Sequence, residues 1–216
     1  MVSENNNMFH INHRCGFHLT LATNLDSSTK RTHMLACITR LEAGLFTLVS
    51  PSRLHFFDEH TNSYNTHQYN EYCQPLSADL EELQTLIDNP RSIGRKSDRY
   101  RSVNFTKVMG SNNLLEVRMH NGTVSTNKII PWTALWMALI LHTTRGGSAH
   151  LNEAKLFDQH NSADSEDLFN LLVQENIMLT DPLKACLFNR RIQLKDRWRR
   201  VFPYKQMKWK NANWYG

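Results

Sequence analysis

The stretch Leu114–His120, LLEVRMH, decides the fold class. In an extended chain Leu115, Val117 and Met119 point to one side, while Glu116, Arg118 and His120 point to the other. Such a strand belongs to an antiparallel sheet that is packed on one face only. Phe17–Ala22 alternates in the same way, with Phe17, Leu19 and Leu21 opposing His18, Thr20 and Ala22. Ser102–Val108 sets Val103, Phe105 and Lys107 against Ser102, Asn104 and Thr106, and the turn MGSNN joins it to LLEVRMH.

Helical patterns lie between and after these strands. Leu35, Ile38, Leu41, Leu45 and Leu48 recur at helical spacing, with Ser28 or Thr29 as the cap and Ser50-Pro51 as the stop. Residues Ser52–Gln74 are rich in His, Asn, Tyr and Thr and read as a long irregular loop. Ser77 caps a short acidic helix that stops before Asn89-Pro90, and a basic loop, RSIGRKSDRYR, follows it. Pro131 is expected in the first turn of an apolar helix ending near His142. Two further helices are expected, Ser165–Glu175 and one opened by Asp181-Pro182 that runs to Arg200. The order is mixed, so the class is α+β rather than a doubly wound parallel sheet. Residues 1–146 are read as an α+β domain, and 147–216 as a helical region with a basic aromatic tail.

The bulk numbers narrow the function. The 216 residues are 40% hydrophobic and 21% charged, the composition of a globular protein. The most apolar run, IIPWTALWMALIL, is too short to span a membrane, and the N-terminus has no signal-peptide pattern, so a cytoplasmic location is expected. Cys15, Cys37, Cys73 and Cys186 are scattered, with no Cys-x-x-Cys pair, and read as thiols rather than disulfides. The net charge of +5 is uneven: Arg190–Gly216 holds nine Lys or Arg and one acid. That tail can bind nucleic acid through phosphates and stacking. A solvated amphipathic helix with a docking segment is the favoured reading of it.

The histidine-rich stretch HINHRCGFHLTL, residues 10–21, invites a zinc reading from His10, His13, Cys15 and His18. Alternation in an extended segment sends these to opposite faces, which argues against convergence. The polar strand faces have two readings. They meet water, or they line one concavity in which carboxylate and imidazole hold Mg²⁺ and Arg118 meets phosphate oxygens.

The order of short motifs adds a resemblance. CGFHLTL, a helix with Arg40 and Glu42, SPSR, YCQPL, RYRSVN, LLEVRMHNGTV and IIPW follow one another in a succession that resembles the amidoligase family. These are carboxylate–amine ligases of the glutamine synthetase and glutamate–cysteine ligase superfamily. The resemblance covers roughly residues 11–142 and implies an antiparallel, funnel-like sheet. It also implies ATP and Mg²⁺ as cofactors, carboxylate and amine substrates, and an acyl-phosphate intermediate. Carried over by position, His18 and Glu116 are implied metal ligands, and Glu116 and Arg118 the catalytic pair. Arg118, Arg99, Tyr100 and Asn104 are implied around nucleotide or substrate. Two departures stand out. Thr20 replaces the second histidine of a His-x-His strand, and no Glu-x-Glu strand precedes Cys15. The expectation is therefore an N-terminally short ligase, active alone or completed by another chain or a homo-oligomer, with a non-catalytic accessory protein or nucleic-acid binding through the basic tail as the alternatives.

Overall fold

The computed structural model describes residues 15–58, 60–76, 100–109, 113–145, 172 and 177–201. The Ser77 and Ser165–Glu175 helices, the basic loop with Arg99, and the tail beyond Val201 lie outside the described residues. The fold is α+β, as expected from the strand alternation. A three-stranded antiparallel sheet has the order β1-β5-β4, with β1 at Gly16–Ala22, β4 at Val103–Asn104 and β5 at Leu114–Asn121. A separate hairpin pairs β2 (His55–Asp58) with β3 (Ser63–Tyr69).

The apolar sides of β1 and β5 face a core built on helix α1 (Ser28–Phe46). The five predicted residues of its stripe, Leu35 to Leu48, are all buried. Ser27, one residue before the expected cap, accepts from the Lys30 amide and starts the helix. Its end comes four residues before Ser50, because the amides of Thr47, Leu48 and Val49 turn back to carbonyls three residues earlier. Helix α3 (Thr126–Thr144) lays Trp132, Leu135, Trp136 and Leu139 on the same core. Helix α4 (Asp181–Val201) closes it with Leu187, Leu194 and Trp198, whose indole N–H donates to the Val49 carbonyl at 3.0 Å.

Three expectations need correction. The presumed loop Ser52–Gln74 contains the β2–β3 hairpin. Its turn is fixed by Asp58 accepting the His60 amide and by Asn62 at φ 49, a left-handed conformation that Asn tolerates. The strand expected over Ser102–Val108 stops at Asn104. Asn104 Oδ1 accepts both the amide and the hydroxyl of Thr106, at 3.0 and 2.6 Å, and turns the chain into a one-turn helix, α2 (Thr106–Met109). Pro131 sits inside α3, not in its first turn; the helix starts five residues earlier at Thr126, with the Ser125 carbonyl accepting from Lys128 and Ile129. The proline removes one bond near the start of a 19-residue helix that the buried tryptophans hold in place.

Candidate active site

Glu116 is the centre of the polar cluster. It lies in the middle of β5, with β1 on one side and β4 on the other, and is only 8% exposed. A carboxylate buried there requires partners, and three side chains supply them. Asn104, directly across on β4, donates from Nδ2 to Oε2 at 2.9 Å. Arg118 donates from Nη1 to Oε1 at 3.1 Å. His18 on β1 places Nδ1 3.2 Å from the same Oε1. Burial and the neighbouring Arg118 together outweigh the pull of Glu116 and hold the His18 pKa below the ordinary histidine value.

A bulge organises this face. His18 on β1 stands opposite two β5 residues, Arg118 and Met119, so the pairing register shifts by one between Phe17 and Leu19. The shift corrects the expected placement of His120. Rather than joining Glu116 and Arg118, His120 pairs with Phe17 and packs against Trp132, with ring centroids 5.9 and 5.3 Å away. It is 3% exposed, and burial lowers its pKa to about 4. Thr20, where the family pattern has histidine, lies directly across from Glu116.

Gly16 and Arg53 stand in the CGFHLTL and SPSR motifs, but the sequence assigns neither of them a contact at the site. Arg53 follows Pro51 in a buried 3₁₀ turn and donates from Nη2 to the Arg118 carbonyl at 2.6 Å. Gly16 makes room for it: a Cβ there would lie 3.2 Å from both terminal guanidinium nitrogens and 3.3 Å from His18 Nε2. The motif glycine thus has a packing reason, close approach of a cation to β1. No sequence pattern marks that contact.

A second buried carboxylate ties the motifs together from below. Glu42 on α1 is fully buried and accepts from the Leu76 amide at 2.8 Å and from the Ser102 hydroxyl. Gln74 bridges to Arg101, and the Arg118 amide donates to the Ser102 carbonyl at 2.8 Å. YCQPL, RYRSVN and LLEVRMH therefore lie side by side, anchored on one helix. Above them the Arg118 guanidinium sits 5.6 Å from the centre of the Tyr100 ring, and Tyr100 meets the exposed Tyr72 edge-on. Arg118 Nε also donates to the Tyr72 carbonyl at 3.3 Å.

Of the residues expected at the site, His18, Tyr100, Asn104, Glu116 and Arg118 are brought together; Arg99 lies outside the described residues. Among the described residues the cluster offers a metal one carboxylate and one imidazole, Glu116 and His18. Among the described residues no group of three His, Cys, Asp or Glu converges. This pair suits a cation that brings phosphate and water oxygens with it, not a closed protein cage.

No helix among the described residues is long and apolar enough to cross a membrane. No described cysteine is in a disulfide, and Cys73, fully buried, has its thiol pKa pushed up to about 11 by burial. The basic helix α4 is partly a core element: Arg191 is buried, and burial together with Arg197 lowers the Arg190 pKa.

No curated protein and no solved structure matches the chain. A family model described as "Putative amidoligase enzyme" matches residues 3–140, nearly two thirds of the sequence. That span contains β1, β4 and β5 and every residue of the Glu116 cluster. With the matched span covering the sheet, the chain belongs to the amidoligase family.

Proposed function

We propose that this chain is an ATP-dependent ligase that joins a carboxylate to an amine through an acyl phosphate. The observation that carries the reading is the convergence of His18, Asn104 and Arg118 on buried Glu116 from three neighbouring strands. Family membership supports ligase chemistry in general.

In the proposed reaction a substrate carboxylate oxygen attacks the γ-phosphorus of ATP, and the bond to the β,γ-bridging oxygen breaks, releasing ADP. The amine nitrogen then attacks the acyl carbon, the carbon–oxygen bond to phosphate breaks, and amide, phosphate and a proton leave. Both steps depend mainly on positioning and on charge stabilisation. Arg118 is the candidate phosphate-contacting cation, pre-oriented by Glu116, the Tyr72 carbonyl and the Tyr100 ring. Asn104 and His18 fix the rotamer of Glu116. Tyr100 and Arg99 are assigned to the nucleotide or substrate. His18 and Glu116 are the groups that would hold Mg²⁺, which when bound neutralises triphosphate charge.

Calorimetric titration with ATP and Mg²⁺ tests the proposal. The wild type is expected to bind, and Glu116→Ala to lose at least about tenfold in affinity, as expected for removal of a charged contact. No binding by the wild type, or indifference to the substitution, overturns it. A second reading is favoured by the single carboxylate that the described residues bring to the site: an accessory ligase-fold protein, or one completed by acids from another chain. The accessory form predicts no ATP binding with or without a partner. The completed form predicts binding only in the presence of that chain.

A further inference from the structure

On the outer side of α3, away from the buried tryptophans, runs an apolar groove with a volume of about 800 Å³. One wall is a stripe along α3 from Ile130 through Met137 and Leu141 to Arg145; the other is Met178–Cys186, the approach to α4 and its first turns. The stripe recurs at helical spacing, so these residues lie along one face over four turns. The side chains stand open: Ile130 is 65% exposed, Met137 51%, Leu141 49% and Met178 86%. Single exposed apolar residues are ordinary, whereas a contiguous set lining one concavity marks a binding surface. Two methionines suit a surface that adapts to its occupant.

Among the described residues the charge on this groove is one-sided: no Asp or Glu of theirs lines it, while exposed Arg145 does and has no carboxylate partner among them. His142 lies one turn before Arg145 on the same wall. The volume falls within the range of small-molecule sites. We propose that the groove binds an amphiphile with an unbranched apolar chain and an anionic head, the chain lying along Met137 and Leu141 and the head paired with Arg145. The site is separate from Glu116, and the proposal stands whether or not the ligase reading does.

The test is competition for the groove by decanoate and by decanol, read as displacement of the fluorescent probe 1-anilinonaphthalene-8-sulfonate from the full chain. Saturable one-site displacement by decanoate is expected from the wild type. Arg145→Gln should weaken decanoate about tenfold, the loss of one charge-assisted contact, and leave decanol unchanged. Met137→Asp should abolish both. Ile192→Asp, an exposed apolar position on α4 outside the groove, should change neither, and unchanged melting temperatures would show that all three variants fold. Equal effects of Arg145→Gln on decanoate and decanol would overturn the proposal, as would loss of binding in Ile192→Asp. A wild-type dimer that Met137→Asp dissociates would also overturn it, because the occupant would then be a second copy. Capture of a partner helix in place of decanoate would overturn it in the same way.

Discussion

Glu116 sits at a nearly water-free position with a donor on each of its oxygens, Asn104 on Oε2 and Arg118 on Oε1. Arg118 is in turn held by its own carbonyl, which accepts from Arg53, and Arg53 lies where Gly16 has no side chain. The chain of dependence makes Gly16 a sensitive position. Gly16→Ala would push a methyl group onto a guanidinium already committed to the Arg118 carbonyl, and onto His18. A destabilisation of about 1–3 kcal/mol is expected, measured by urea unfolding, together with weakened ATP binding by calorimetry. Unchanged stability and binding would remove Arg53 from the account. At this scale His18, Asn104, Glu116 and Arg118 were legible in the sequence, because alternation in a strand assigns faces. Arg53 and Gly16 were not, since their contact joins a 3₁₀ turn to a strand 37 positions away.

Elements here are positioned by polar anchors as much as by apolar faces. Helix α4 carries a basic run, Arg190–Arg200, that reads in sequence as solvated surface, yet Trp198 within it reaches the core and closes the Val49 carbonyl. Trp198→Ala is expected to cost about 3–5 kcal/mol from lost burial and an unsatisfied carbonyl. Trp198→Phe, which keeps most of the burial and loses the N–H, should cost about 1–2 kcal/mol. Thermal or urea unfolding distinguishes the two, and equal losses would show that the hydrogen bond contributes nothing. Strand β4 makes the complementary point. Its sequence alternates far enough for seven residues, but Asn104 spends its side chain on Thr106 and Glu116 and ends the strand after two. Local side-chain hydrogen bonds compete with the ladder, and periodicity does not register them.

For the whole molecule, buried histidines couple stability to acid. Burial holds both His55 and His120 at about 4, against 6.5 for the unfolded chain. Between those values the unfolded state binds more protons, so stability is full above about pH 6.5 and falls as pH drops toward 4. Each histidine contributes up to about 3 kcal/mol of that loss. Urea midpoints measured from pH 7 to pH 4 should fall, and His120→Gln should flatten the slope; a slope unchanged by that substitution would assign the effect elsewhere. The thiols should report the same burial. Exposed Cys186 is expected to react with a thiol reagent in the native state, whereas buried Cys37 and Cys73 should react only after unfolding.

The sequence by itself determined the α+β class, the inner faces of β1 and β5, the stripe of α1 and the polar-face membership of His18, Asn104, Glu116 and Arg118. These follow from periods of 2 and 3.6 residues, which are local properties of the chain. Only the tertiary structure decided the rest. The β5 bulge, invisible to a period, moved His120 from the site to the core. The hairpin in the polar segment after Leu54 formed without an apolar alternation to announce it. Glu42 became an anchor for two distant motifs because burial left its carboxylate no water to bind, so it took the Leu76 amide and the Ser102 hydroxyl instead.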